Sequence, residues 1–139
     1  MLQRCTGRLR ISQAKARAPL GENSSSLVLV VDDNPEIRSS FKELLEDEGY
    51  RVAEVADGRE ALDYLRSQER PKLILLDLMM PVMDGWQFRA EQKKNPALAS
   101  IPVIVISAVA DVAAEIDAER VLTKPLNPEV LLGAVARYR

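Results

Sequence analysis

Apolar and polar residues follow one another along this chain in blocks. Leu27-Val28-Leu29-Val30-Val31 is an unbroken run of β-branched residues and leucine, the pattern of a strand buried on both faces. Asp32-Asp33-Asn34-Pro35 interrupts it, with Asn34 suited to cap a helix and Pro35 to its first position. Ile37, Phe41, Leu44 and Leu45 then recur at helical spacing, and Gly49 offers a stop. Arg51 to Val55 predicts a second strand. Asp57, with Glu60 three residues on, predicts a capping box that opens a helix bearing Ala61, Leu62 and Leu65.

Lys72 to Leu76 predicts a third strand, which ends on Asp77. The loop Met79-Met80-Pro81-Val82-Met83-Asp84-Gly85 leads into a helix near Trp86, whose apolar face is weak because Arg89, Glu91, Gln92, Lys93 and Lys94 dominate it. Pro102 to Ile106 predicts a fourth strand, and Val121-Leu122 a short fifth one behind an Ala- and acid-rich segment. Asn127-Pro128 caps a last helix with Leu131, Val135 and Tyr138 on one face. Five strands alternating with helices predict an α/β fold, a parallel sheet covered on both sides. The longest apolar stretches, Leu73 to Leu76 and Ile101 to Ile106, are far short of the roughly 20 residues of a membrane span.

The charge divides the chain. Residues 1–26 hold five basic residues and one acid, whereas residues 27–139 hold 14 basic and 20 acidic ones. The basic front lacks apolar periodicity and leaves through Ser24, Ser25 and Ser26. It reads as a flexible extension, 1–26, joined to one acidic domain, 27–139. The chain has no histidine and a single cysteine, Cys5. That excludes His-based triads, His-ligated metals, an internal disulfide and Cys-based clusters. Carboxylates, hydroxyls, lysine and arginine must carry whatever chemistry there is.

In a doubly wound sheet, ligands sit at the carboxyl ends of the strands. The residues ending them are Asp32 and Asp33, Asp77, Ser107, and Thr123 with Lys124. Carboxylates crowded together repel, which raises their pKa values unless a cation intervenes. With oxygen ligands alone, the natural cation is Mg²⁺. The rim therefore has the make-up of a metal-assisted phosphate site, with Lys124 as its second positive charge. Met79, Met80 and Met83 read as loop packing, and Trp86 as an anchor of its helix to the core.

Asp32-Asp33 after an apolar strand, Asp77 at 44 residues beyond Asp33, Met80-Pro-Val-Met-Asp84-Gly85, Ser107-Ala108 and Lys124-Pro125 together resemble the receiver domain of bacterial response regulators. The resemblance spans about 27–139. It implies a flavodoxin-like (βα)5 fold with strand order 2-1-3-4-5. It also implies that Asp77 accepts a phosphoryl group from a sensor histidine kinase or phosphotransfer protein. Mg²⁺ would lie on Asp32, Asp33, Asp77 and the Met79 backbone carbonyl. Ser107 would bond a phosphoryl oxygen, Lys124 would pair with the phosphate, and Lys124-Pro125 would carry a cis peptide. Such a chain is a phosphoacceptor and not an enzyme in its own right, assisting only its own phosphorylation and dephosphorylation. It would be cytoplasmic and signal by docking to another protein, without direct contact to nucleic acid or membrane.

Three features depart from that family's pattern. Val121 stands where an aromatic ring is usual, three residues before the lysine. Ser107 and Lys124 are only 17 residues apart, which predicts a shortened fourth helix. The sequence ends at Arg139, directly after the last predicted helix, so a stand-alone receiver is expected, with a piece of a longer regulator as the alternative. Other classes fit less well. A phosphatase of the dehalogenase type would place a second Asp two residues after its nucleophile, where this chain has Met79. A flavin carrier would need a Ser-, Thr- and Gly-rich first loop, and Asp32-Asp33 would repel its phosphate. A receiver-like interaction module without phosphorylation would tend to lose the acidic pair or the lysine, and both are present.

Overall fold

The computed structural model describes residues 26–108 and 116–139. The extension predicted over 1–26 lies, Ser26 apart, outside the described residues. The segment expected to hold a shortened fourth helix is described only from Ile116 on, and residues 116–119 are not helical.

The chain runs β1 (Leu27–Val31), α1 (Pro35–Asp47), β2 (Arg51–Val55), α2 (Gly58–Ser67), β3 (Leu73–Asp77), α3 (Gly85–Lys94), α4 (Pro96–Ala99), β4 (Val103–Ser107), β5 (Arg120–Thr123) and α5 (Pro128–Val135), closing with a 3₁₀ turn at Ala136–Tyr138. All strand pairs are parallel, in the order β2-β1-β3-β4-β5. This is the order the family resemblance implies.

Every residue of β1, β3 and β4 is buried, which is why their sequences are continuous apolar runs. Alternate side chains feed two cores. Leu29, Val31, Ile74, Leu76, Val103 and Val105 pack with Leu62 and Phe88 beneath α2 and α3. Val28, Val30, Leu73, Leu75, Ile104 and Ile106 pack with Leu45, Leu131 and Val135 beneath α1 and α5. Each such side chain contributes roughly 1.5–3 kcal/mol on burial. The edge strands β2 and β5 expose Arg51, Glu54 and Arg120, charges that discourage pairing with another sheet.

The helix starts at Asn34, Asp57 and Asn127 follow the predicted caps. The Asn34 side chain accepts from the Glu36 and Ile37 amides at 2.9 and 3.3 Å. Asp57 accepts from the Glu60 amide, but the Glu60 carboxylate returns to Ala56 N–H, one residue before the cap. The predicted box is thus widened by a residue. Asp84 and Gln87 close a full reciprocal box at α3. Gly49 ends the first helical unit at φ +94°, a left-handed conformation that favours glycine.

The sequence does not announce α4. Asn95 ends α3 and caps α4 at once, its side chain accepting from Ala97 N–H. The polar face of α3 also conceals a structural residue. Gln92 is fully buried, and its Nε2 donates to the Leu98 and Ile101 carbonyls at 2.9 and 3.2 Å. Arg89 Nη1 donates to its Oε1 at 2.8 Å. Gln92→Leu keeps the volume but removes the bonds to two carbonyls and to one N–H of Arg89. It should cost about 2 kcal/mol, read as a lower urea midpoint with an unchanged slope.

Candidate functional site

The sheet register assembles the site. Val31 lies opposite Leu76 and Asp77 opposite Ile106, so Asp32 follows β1 at the level of Asp77. Ser107 lies opposite Thr123, and the Lys124 amide donates to the Ser107 carbonyl at 2.8 Å. The chain leaves β1 toward β2 and returns to β3 on the other side. The crevice between the ends of β1 and β3 is therefore the switch point at which such sheets bind ligands.

Carboxylate oxygens of Asp32, Asp33 and Asp77 lie within 4.8 Å of one another. Asp32 and Asp77 are buried and Asp33 is exposed, so the cluster opens to solvent on one side. Lys124 Nζ stands 3.2 Å from Asp32 Oδ2 and 3.4 Å from Asp77 Oδ1. The Lys124-Pro125 bond before α5 is cis, as the resemblance implies. Ser107 is buried at the end of β4, on the same rim. The predicted set Asp32, Asp33, Asp77, Ser107 and Lys124 is thus gathered at one end of the sheet.

One ammonium does not balance three carboxylates. Burial pushes the Asp77 carboxyl above its ordinary value of 3.8; Asp32 and Asp33 push the same way, and Lys124 pulls against them. A hard divalent cation suits this donor set, since all its atoms are carboxylate oxygens close enough to share one ion. The Met79 carbonyl, two residues after Asp77, accepts no hydrogen bond from the described residues and can complete the set.

The loop behind Asp77 is held by close backbone approaches. A Cβ on Gly85 would come within 2.7 Å of the Asp77 carbonyl and of Leu78 Cδ2, so only glycine lets α3 begin there. A Cβ on Gly58 would meet Met83 Cγ at 2.7 Å, and Gly58 N–H donates to the Met83 carbonyl at 2.9 Å. Between them Met83 N–H donates to the Pro81 carbonyl at 2.7 Å across Val82, whose φ is +67°. That is the strained γ-turn, which a β-branched residue rarely occupies. Met80, Met83 and Trp86 pack against the core as expected, whereas Met79 is 67% exposed beside the crevice.

Arg38 is the site residue that sequence reasoning missed. Its Nη1 donates to the Asp32 carbonyl at 2.7 Å, and its Nε lies 3.4 Å from Glu54 Oε1 on β2. Nothing in the sequence separates this arginine from a solvated residue on a helix.

A parallel sheet in this order, with an acidic crevice at its switch point and a lysine directly after the last strand, defines a receiver-type signalling domain. Residues 28–136 match the response regulator receiver domain family, and the chain belongs to that family. It is 38% identical to Protein PilG of Pseudomonas aeruginosa over 116 residues, 80% of this chain and 85% of that protein. It spans less than half the length of several longer curated relatives that it matches, among them the probable transcriptional regulators ycf27 of Porphyridium aerugineum, Guillardia theta and Cyanophora paradoxa. A solved receiver domain of a Syntrophus aciditrophicus signal transduction histidine kinase superposes with a TM-score of 0.77 at 36% identity, covering 82% of this chain and 89% of that one. The receiver domain of sensor histidine kinase PA1611 from P. aeruginosa PAO1 has a magnesium ion coordinated in its active site cleft. It superposes at 0.76 with 27% identity, covering 83% and 98% of the two chains. Among the described residues no helix is long and apolar enough to cross a membrane.

Two outcomes follow from this geometry. Val82→Gly removes a left-handed β-branched residue and should stabilise the protein by roughly 1 kcal/mol net of glycine's added chain entropy, measured by chemical denaturation. Because the folded pKa of Asp77 is raised, stability is lost as pH rises through that value, and the penalty is absent below the unfolded value of 3.8. Asp77→Asn should therefore raise the Tm of the metal-free protein at neutral pH. That gain should shrink toward zero as melts are repeated at pH values approaching 3.8.

Proposed function

We propose that the chain is a phosphoacceptor in two-component signalling, with Asp77 taking the phosphoryl group of a phosphohistidine on a sensor histidine kinase or phosphotransfer protein. The observation that carries this reading is the meeting of Asp32, Asp33 and Asp77 within 4.8 Å, with Lys124 within ion-pair distance of two of them. The donor imidazole belongs to the partner, which accords with a chain that has no histidine of its own. As an Asp77 oxygen bonds to phosphorus, the bond from phosphorus to the imidazole nitrogen breaks, and the freed imidazole takes up a proton.

Asp32, Asp33, Asp77 and the Met79 carbonyl are the residues that would hold Mg²⁺. When bound, the ion supplies neutralising charge for the carboxylates and for the transferring oxygens. Lys124 pairs with a phosphoryl oxygen once its tie to Asp77 is exchanged, and the Ser107 hydroxyl donates to another. Burial of Asp77 limits the access of water to the acyl phosphate. The same machinery serves only the formation and loss of this one bond. Output then passes by docking to another protein.

Incubation with acetyl phosphate and Mg²⁺ should add one phosphoryl group, seen as a single mass increment that hydroxylamine removes. Asp77→Asn should abolish the increment and EDTA should suppress it. Undiminished labelling of Asp77→Asn would place the nucleophile elsewhere.

A further inference from the structure

We propose that Arg38 is a positioning residue for the divalent-cation site: it fixes the peptide that follows β1 so that the Asp32 carboxylate points into the crevice, and Glu54 on the edge strand holds it there. This rests on reading Asp32, Asp33 and Asp77 as a metal site.

The need for such a residue comes from where β1 ends. Its paired residues stop at Val31, so beyond it the ladder no longer sets the direction of the chain. Asp32 is held by four other bonds. Its N–H donates to the Val55 carbonyl at 3.2 Å. Its Oδ1 accepts from the Asn34 amide at 2.9 Å, and its Oδ2 faces Lys124. Its carbonyl accepts from Arg38 Nη1 at 2.7 Å, and among the described residues this is the bond that reaches the Asp32–Asp33 peptide from the helix side. Arg38 N–H also donates to the Asn34 carbonyl at 3.0 Å. The same residue therefore closes the turn through its main chain and its side chain.

The guanidinium is held as firmly as the peptide that it holds. Its Nε faces Glu54 Oε1, Lys42 Nζ lies 3.8 Å from Glu54 Oε2, and the Arg38 side chain is only 19% exposed. Its planar fork reaches the Asp32 carbonyl through Nη1 and the Glu54 carboxylate through Nε, two donors at a fixed spacing that an ammonium does not reproduce. Removing Arg38 deletes the hydrogen bond to the Asp32 carbonyl together with a positive charge, and loss of the charge alone would favour a cation in the crevice.

This makes the sign of the effect diagnostic. An arginine acting only as a nearby positive charge would compete with the metal, and its loss would tighten Mg²⁺ binding. A positioning arginine has the opposite effect, and partners that orient metal ligands typically cost tenfold or more in affinity when removed.

The test is a Mg²⁺ titration of the full chain by calorimetry, with amide spectra confirming that each variant is folded. Arg38→Met and Arg38→Lys should each weaken Mg²⁺ binding by about tenfold, with the largest amide shifts at Asp32, Asp33 and Asn34. Glu54→Gln, which loosens Arg38 without removing it, should give a smaller loss. Lys42→Met, which removes a neighbouring cation that does not touch Asp32, should change the affinity less than Glu54→Gln does. Unchanged or tighter binding in Arg38→Met, or full affinity in Arg38→Lys, overturns the assignment while leaving the metal site standing. No Mg²⁺ binding by the unaltered chain removes the metal-site reading, and the assignment with it.

Discussion

Three carboxylates meet one ammonium at the carboxyl edge of this sheet, and that imbalance governs the site. Parallel pairing in register leaves the chain no means of separating Asp32 from Asp77, because their strands lie side by side and end together. Lys124 approaches both from the far side of β4, at distances that offset the repulsion only in part. Burial and the neighbouring Asp32 hold the Asp77 carboxyl above its ordinary range, against the pull of Lys124. An acidic crevice of this kind is stabilised by whatever positive charge enters it, and the apolar strands beneath it are too well buried to relax the strain by spreading.

The rest of the molecule keeps those charges in place. Gly85 admits α3 against the Asp77 carbonyl, and Gly58 admits the Met83 backbone against the start of α2. The loop is thus clamped at both ends, and the unfavourable conformation of Val82 persists between the clamps. Strain at a functional loop is tolerated where the surroundings over-determine it. Here two glycine contacts and a capping box on Asp84 supply that constraint.

The sequence makes the sheet and the rim legible because both rest on simple periodicities. Buried parallel strands must be continuous apolar runs, and the residue that ends each run must face the crevice. Asp32, Asp33, Asp77, Ser107 and Lys124 could therefore be found before any coordinate was known. What stays hidden depends on contacts between residues far apart in the chain. Gln92 and Arg89 read as solvated positions on a polar helix, yet one is fully buried and the other bonds to it. Arg38 reads as an ordinary helix arginine until the carbonyl of Asp32 and the carboxylate of Glu54 are seen on either side of it. The shift of the Glu60 bond from Asp57 to Ala56 is likewise a matter of a local angle that residue spacing does not encode.

The charged face of α3 also explains how Lys124 keeps its place. β5 is an edge strand of four residues, paired on one side only and half exposed, in contrast to the fully buried β4. Where an aromatic ring is usual in the family it carries Val121, which covers less of the adjoining core. The approach to β5 is tied down instead by polar contacts. Arg89 Nε donates to the Asp117 carbonyl at 2.6 Å, Lys93 pairs with the Asp117 carboxylate at 2.8 Å, and Glu119 N–H donates to the Val103 carbonyl at 2.9 Å. Exposed ion pairs contribute little each, so the anchoring falls mainly on the bonds to backbone, where Arg89 is well enclosed. The acids of the site thus stand on or beside buried central strands, while its lysine follows directly on an edge strand paired on one side only. When charge in the crevice changes, Lys124 is the group with the most freedom to follow it.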